Sequence, residues 1–148
     1  MNFDLSEDDR AFADAVGRFA RAKLAGGALA RAHSPDFPWE TARLLSEQGL
    51  LGITFSEEDG GQGGTRMQAV LAIQEVALVC PRSADIVQAG NFGPIRTFVE
   101  YASAEQKKRF LPDLLAGRKL ISLGMTEPDA GSAATELKTS ARRDGDGW

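Results

Sequence analysis

The amino-acid sequence predicts a mainly α-helical protein, in which an up-and-down, bundle-like helical domain precedes a short β segment. Two observations carry this prediction. Apolar residues recur at helical spacing as far as Gly117, and short alternating runs replace that spacing afterwards. Helices followed by strands are typical of separately packed domains. We therefore expect a helical domain over residues 1–118 and the start of a β domain over residues 119–148.

The first helix is predicted from its capping residues and its apolar stripe. Ser6 and Asp9 form a Ser-x-x-Asp variant of the capping box, and the acidic first turn complements the helix dipole. The stripe consists of Phe12, Val16, Phe19, Ala20 and Leu24. A second helix is expected from about Trp39 to Gln48, because two proline-containing pairs precede it and Gly49 ends it.

A glycine-rich stretch, residues 60–64, connects the second helix to the third. Such a stretch can bind a phosphate, because its backbone N–H groups are accessible and the following helix favours an anion. The glycine patterns of P-loops and of dinucleotide-binding turns are both missing from it. The sequence therefore favours a tight connecting loop over a phosphate site.

Three further helices are expected before Gly117. Thr65 caps the third, and Ser103 caps the fifth, each with a glutamine three residues later. The fourth begins near Ser83 and is expected to kink or break midway, at Gly90, Gly93 and Pro94. Pro112 is expected to bend the fifth. The predicted buried stripe of the third helix is Val70, Ile73, Val76 and Ala77. That of the fourth helix is Ile86, Val87, Ile95, Phe98 and Val99. That of the fifth helix is Phe110, Leu111, Leu114 and Leu115.

Two strands are predicted after the helices. The apolar run 120–126 has turn signals on both sides, and residues 135–142 alternate between apolar and polar side chains. The Asp-Gly-Asp-Gly run at 144–147 predicts a hairpin turn, after which Trp148 is expected to begin the returning strand. A sheet that stops there leaves unpaired edge groups, so we expect these 148 residues to be part of a longer protein.

Composition narrows the possible functions. The chain has 148 residues, 43% of them hydrophobic and 26% charged, which is ordinary for a soluble globular protein. Its 17 basic and 21 acidic residues give a net charge of −4, which argues against nucleic acid as a partner. No apolar run approaches the roughly 20 residues needed to cross a bilayer. A single cysteine, Cys80, and a single histidine, His33, exclude an internal disulfide and a Cys/His zinc site, and no metal is expected.

The densest group of chemically useful residues is the run 125–133, at the end of the first predicted strand. It combines the hydroxyls of Thr126 and Ser132, the carboxylate of Glu127, the rigid Pro128 and the permissive Gly131. Such a loop can present backbone N–H groups and hydroxyls to a ligand. The residues alone leave a binding loop and a plain strand connection equally open.

Several motifs resemble the acyl-CoA dehydrogenase family of flavoproteins, in the right order and over essentially the whole chain. The specific part is Thr-Glu-Pro-Asp-Ala-Gly-Ser at 126–132. Supporting segments are Leu-Ser-Glu-Asp at 5–8, Gly-Leu-Leu-Gly at 49–52, Glu-Glu-Asp-Gly-Gly-Gln-Gly at 57–63, Glu-Gln-Lys-Lys-Arg-Phe-Leu-Pro at 105–112 and Asp-Gly-Asp-Gly-Trp at 144–148. The resemblance implies a helical N-terminal domain followed by the first hairpin of a β-barrel-like middle domain.

The resemblance also implies a reaction and a cofactor. Members of the family oxidise the Cα–Cβ bond of an acyl-CoA thioester: a glutamate removes the α-proton while the β-hydride moves to N5 of FAD. By resemblance, Leu123, Met125, Thr126 and Ser132 contact the flavin, and Ser132 also lies near the bound thioester. The family's catalytic glutamate lies beyond Trp148, so no catalytic residue is expected in this chain, and Glu127 is expected to be a turn or ion-pair residue.

The expected partners follow from the same resemblance, and the expected location follows from residues 1–10, which are acidic and polar where a signal or transit peptide would be basic. The full-length protein is expected to be a homotetramer or dimer in the cytoplasm that takes part in fatty acid metabolism and passes electrons to an electron-transferring flavoprotein. The family often has aspartate where this chain has Ala133, so a contact made by that carboxylate in the family is not expected here. The alternative is a non-catalytic helical binding or interaction module on the same scaffold. Lys107, Lys108 and Arg109 are expected to be a solvated helix face rather than a clamp for the CoA phosphates.

Overall fold

A computed structural model describes residues 4–147 and is mainly helical. Within that range the helices are α1 (Glu7–Lys23), α2 (Ala28–His33), α3 (Trp39–Glu47), α4 (Arg66–Ala77), α5 (Pro81–Ala89), α6 (Pro94–Tyr101) and α7 (Ala104–Leu115), and a 3-10 turn spans Ala134–Glu136. None of these helices combines the length and the apolar composition that a membrane crossing requires.

The three predicted helix starts are confirmed by their hydrogen bonds. The Thr65 hydroxyl accepts from the backbone N–H of Gln68 at 3.1 Å, and the Gln68 side chain accepts from the Thr65 N–H at 2.8 Å. Ser103 and its glutamine repeat this reciprocal pair at the start of α7. Ser6 accepts from the Asp9 N–H at 3.0 Å and donates its hydroxyl to the Asp9 carboxylate at 2.7 Å. Each cap satisfies N–H groups that the first helical turn leaves without partners.

Two hydrophobic cores hold the helices together. The larger core joins α1, α3, α4 and α5 through small and branched side chains, namely Val16, Ala20, Leu45, Ala69, Ala72, Val76 and Val87. The smaller core joins α6 and α7 to the chain before α4, through Phe55, Ile95, Leu111, Leu114 and Leu115. Gly117, which follows α7, packs closely against α3: a Cβ added at this position would lie 2.7 Å from the Ala42 backbone.

The glycine-rich connection is a tight loop, as the sequence favours. The backbone N–H groups of residues 61–64 donate to carbonyls of the same loop, at 2.7 to 3.0 Å. Asn91, which is fully buried at the end of α5, holds the loop from the other side. Its side chain accepts from the Ile53 N–H at 2.6 Å and donates to the Leu50 and Val87 carbonyls at 2.8 Å each. The four loop N–H groups therefore face inward and are not offered to a phosphate.

The structure corrects one predicted buried stripe, confirms one predicted break and adds one helix. Val70 is half exposed, and the buried face of α4 consists of Ala69, Leu71, Ala72 and Val76. The break expected in the fourth helix is confirmed, because two helices, α5 and α6, begin at Pro81 and Pro94 and Gly93 between them adopts φ 63°. The first of them begins at Pro81 rather than at Ser83. The short helix α2 was not predicted; it follows Gly27, whose φ of 73° turns the chain.

The predicted β-hairpin is not confirmed. Within the described residues, neither 120–126 nor 135–142 is a strand, and β pairing is confined to isolated bridges between Glu127 and Ala130 and between Asp144 and Gly147. A strand requires a ladder of hydrogen bonds to a neighbour, and neither segment finds one in the described part of the chain. The returning strand expected at Trp148 lies outside the described residues.

Candidate functional site

The loop that carries the predicted site residues is organised by Glu127. Its carboxylate accepts hydrogen bonds from the backbone N–H groups of Lys138, at 2.9 Å, and Thr139, at 2.7 Å, and from the Thr139 hydroxyl. The Thr139 hydroxyl and these two N–H groups hold the pKa of Glu127 below its usual value. Glu127 is thus an anchoring carboxylate that joins two segments about a dozen residues apart.

A tight turn follows Glu127 immediately. The Glu127 N–H donates to the Ala130 carbonyl at 3.0 Å, and the Ala130 N–H donates back at 3.2 Å. Pro128 occupies the second position of the turn, where its fixed φ is favourable. Lys138 and Asp129 form a further contact of 4.0 Å, but both side chains are about four-fifths exposed, so its contribution to stability is small.

The four predicted cofactor-binding residues lie on the surface beside this anchored turn. Leu123 is 56% exposed and Met125 is 51% exposed, which is unusual for side chains of their size and polarity. Thr126 and Ser132 are also exposed, and neither hydroxyl forms a hydrogen bond with another described residue. The loop therefore offers apolar side chains next to unused hydroxyls.

Leu123 also lines a groove that the sequence did not predict. The groove has a volume of about 320 Å³ and lies between α6 and residues 121–123. Its lining combines apolar side chains with hydroxyls, from Pro94, Thr97, Phe98, Tyr101, Ile121 and Leu123. The signal that could have revealed it is the exposed Tyr101 at the end of an otherwise amphipathic helix.

A larger and more polar groove, of about 780 Å³, has α7 on one side and the loop that precedes α4 on the other. Lys107 crosses it and forms an ion pair with Asp59 at 3.1 Å, with both side chains partly buried. Arg109 lies over the Phe110 ring at 4.9 Å, and Lys108 is exposed. The basic run is therefore only partly a solvated face, because Lys107 joins two segments of the fold.

Cys80 and His33 occupy different environments. Cys80 is buried at the start of α5 and accepts a hydrogen bond from the Ser83 hydroxyl at 3.1 Å. Burial raises the pKa of this thiol, but hydrogen bonds from Ser83 and Arg31 outweigh burial and hold the pKa below its ordinary value. His33 is exposed at the end of α2. Across residues 4–147, no three His, Cys, Asp or Glu side chains are grouped so that they could hold a metal ion.

Comparison with known proteins identifies the class to which this helical fold belongs. The family model "Acyl-CoA dehydrogenase, N-terminal domain" matches residues 6–118, and the chain belongs to this family. A 3-sulfinopropanoyl-CoA desulfinase of Paraburkholderia xenovorans is 37% identical over 146 residues, which are 99% of this chain and 37% of that protein. A short-chain specific acyl-CoA dehydrogenase of Clostridium acetobutylicum is 30% identical over 99% of this chain and 38% of its own length.

The solved structures agree with this assignment. A glutaryl-CoA dehydrogenase of Mycobacterium smegmatis, in complex with FADH2, superposes with a TM-score of 0.84 and 30% identity over 95% of this chain. The match covers 36% of that structure. The chain thus spans a little over a third of the length of the relatives that it matches.

Proposed function

We propose that this chain forms the helical domain and the first flavin-contacting loop of an FAD-dependent acyl-CoA dehydrogenase, which oxidises the Cα–Cβ bond of an acyl-CoA thioester. The observation that carries the proposal is the anchored turn at 127–130, which holds Met125 and Thr126 on one side and Ser132 on the other at the surface. Family membership supports this class of reaction. The domains would be residues 1–118 and a β domain that begins at residue 119.

The residues of this loop suit a flavin. A flavin ring system is flat and apolar along one side and carries hydrogen-bonding atoms along the other, so its site must mix both kinds of contact. Leu123 and Met125 offer apolar surface, and Thr126 offers a hydroxyl. No described residue accepts a hydrogen bond from the backbone N–H groups of Met125, Thr126 or Ser132, so these donors remain available. When bound, FAD supplies the acceptor for the hydride that leaves Cβ.

Glu127 is poorly suited to be the catalytic base. A general base must be free to take a proton and needs a pKa near the working pH. The Glu127 carboxylate already accepts three hydrogen bonds, and these hold its pKa below the usual value. We place the base, as in the family, in the part of the protein beyond Trp148, and assign Ser132 a binding role towards cofactor and thioester.

The acyl chain would lie along the groove beside α6. Phe98, Ile121 and Leu123 give this groove an apolar wall next to the candidate flavin loop. The full-length protein is proposed to be a cytoplasmic homotetramer or dimer of fatty acid metabolism that passes its electrons to an electron-transferring flavoprotein.

The test is a spectroscopic titration of the full-length protein. We expect a yellow protein whose flavin absorbance bleaches without oxygen when butanoyl-CoA or glutaryl-CoA is added. Thr126→Val is expected to weaken FAD retention, whereas the matched control Thr135→Val, at an exposed threonine of the same segment, is expected to leave it unchanged.

Either of two outcomes would overturn the proposal and favour another function. Loss of sulfinate from 3-sulfinopropanoyl-CoA, without bleaching by saturated acyl-CoA, would assign desulfination instead of Cα–Cβ oxidation. A colourless full-length protein that is indifferent to every thioester would support the non-catalytic helical module, for which the aspartate missing at Ala133 is the motivating feature.

A further inference from the structure

Thr139 lies outside the loop motif at 126–132, yet it makes two of the three hydrogen bonds that hold the Glu127 carboxylate. Its backbone N–H donates to Glu127 Oε1 at 2.7 Å, and its hydroxyl donates to the same oxygen. The Lys138 N–H donates to the other oxygen, Oε2, at 2.9 Å. The Thr139 hydroxyl is also the largest of the causes that hold the pKa of Glu127 below its usual value. These three bonds are named here the Glu127 clamp.

The Glu127 clamp closes the segment 127–139 into a loop that contains or adjoins the candidate cofactor contacts. Ser132 lies inside this loop, and Thr126 directly precedes its first residue. The hydrogen bonds of the tight turn reach only from Glu127 to Ala130, so they do not fix Ser132 relative to Thr126. The clamp therefore restricts the arrangements that these two residues can adopt together.

Little else holds the two ends of this loop in place. Within residues 4–147, the other contact between them is the pair of Asp129 and Lys138, 4.0 Å apart. Both of these side chains are about four-fifths exposed, so solvent screens the pair. Residues 131–140 are all exposed as well, so burial in a core does not order them. The Glu127 clamp is thus the main restraint on the loop in the described part of the chain.

A loop that is ordered before a ligand arrives binds that ligand more tightly. When a loop is ordered only on binding, part of the binding free energy is spent on fixing its backbone and side chains. We propose that Thr139 is a positioning residue for the candidate flavin site, which holds Thr126 and Ser132, through the Glu127 clamp, in the arrangement that binds FAD. This inference rests on the proposed function, and it assigns Thr139 no contact with the cofactor itself.

Substitutions of both partners separate the hydrogen bonds of the clamp from its shape. Thr139→Val keeps the branched shape and the backbone N–H but removes the hydroxyl, whereas Thr139→Ser keeps the hydroxyl. In Glu127→Gln, the side-chain amide has one oxygen and one NH2 group, so in either orientation the NH2 group faces a backbone N–H. The matched control, Thr135→Val, removes the hydroxyl of an exposed threonine in the same loop that makes no hydrogen bond to another described residue.

The measurement is the Kd for FAD of the full-length apoprotein, from the change in flavin fluorescence on titration. Far-UV circular dichroism establishes that each variant is folded at the assay temperature. We expect Thr139→Val and Glu127→Gln each to raise the Kd about three- to tenfold, which is the scale of one hydrogen bond. Thr139→Ser and the control Thr135→Val should both bind FAD as the wild-type protein does. If one of the two clamp variants does not fold, the other decides.

Three results would overturn the inference alone, in a wild-type protein that binds FAD. One is an unchanged Kd in the folded clamp variants. Another is an equal loss in Thr139→Ser and Thr139→Val, which would assign the effect to the shape of the side chain rather than to its hydroxyl. The third is an equal loss in Thr135→Val, which would assign it to the loop as a whole. A wild-type protein that binds no flavin would instead overturn the proposed function, and this inference with it.

Discussion

Replacing Asn91 with alanine is expected to destabilise the protein more than any other change of a single polar side chain described above. The Asn91 side chain is fully buried and makes three hydrogen bonds, at 2.6, 2.8 and 2.8 Å, to backbone groups of two separate segments. Alanine leaves one N–H group and two carbonyls buried without these partners. Each buried group left unsatisfied costs about 1–3 kcal/mol, and partial relaxation gives a total of roughly 3–5 kcal/mol.

Urea denaturation followed by circular dichroism measures this loss directly. A typical domain has an unfolding free energy of about 5–15 kcal/mol, so the Asn91→Ala protein should unfold at a clearly lower urea concentration. The matched control is Gln88→Ala, at an exposed position of α5 three residues before Asn91, and should change the free energy of unfolding by no more than about 0.5 kcal/mol. A loss below about 1 kcal/mol for Asn91→Ala would refute the claim that this side chain holds the loop.

Three further predictions use other contacts. Gly117→Ala should cost more than about 2 kcal/mol, because its φ is 64° and its Cβ would overlap a backbone, whereas Gly124→Ala, with open space around it, should be nearly neutral. The Thr139 amide shift should report the pKa of Glu127 with a midpoint below the ordinary value of about 4.3, and Glu127→Gln should abolish that titration. Since the pKa of Glu127 is lower in the folded state than in the unfolded state, its hydrogen bonds stabilise the fold fully above about pH 4.3. This stabilisation disappears as the pH falls through the pKa of the folded state. Lys107→Ala should lower the free energy of unfolding by about 0.5–1 kcal/mol, and by less at high salt, because salt screens its ion pair with Asp59. A loss that does not change with salt would contradict a contribution from the ion pair.

The sequence predicted those parts of the fold that depend on neighbouring residues. Each cap involves two residues three positions apart, so Ser6, Thr65 and Ser103 could be identified as helix starts from the sequence alone. The buried face of α4 was predicted only in part: Val76, Ile73 and Ala77 belong to the larger core or pack against it, but Val70 is half exposed. Apolar residues lie on several sides of this helix, and only the neighbouring helices decide which of them are covered. Strands require hydrogen-bonding partners that the described residues do not contain, so the strands that alternation predicts at 120–126 and 135–142 are not confirmed.

The site shows the same division between local and distant contacts. The motif around Glu127 indicated a binding loop, but the donors that anchor its carboxylate lie 11 and 12 residues further along the chain. The role of Asn91 depends on groups 38 and 41 residues away, and no pattern in the sequence connects them. Contacts at such distances become visible only when the chain is folded.

The loop before α4 has a mechanical consequence for the groove beside α6. Ile53 belongs to the larger core and Phe55, two residues later, belongs to the smaller one. Moving α6 and α7 away from the other helices would therefore pull one of these side chains out of its core or break hydrogen bonds within the loop. That free-energy cost opposes a hinge motion of this wall, so we expect the side chains of α6 to set the shape of the groove.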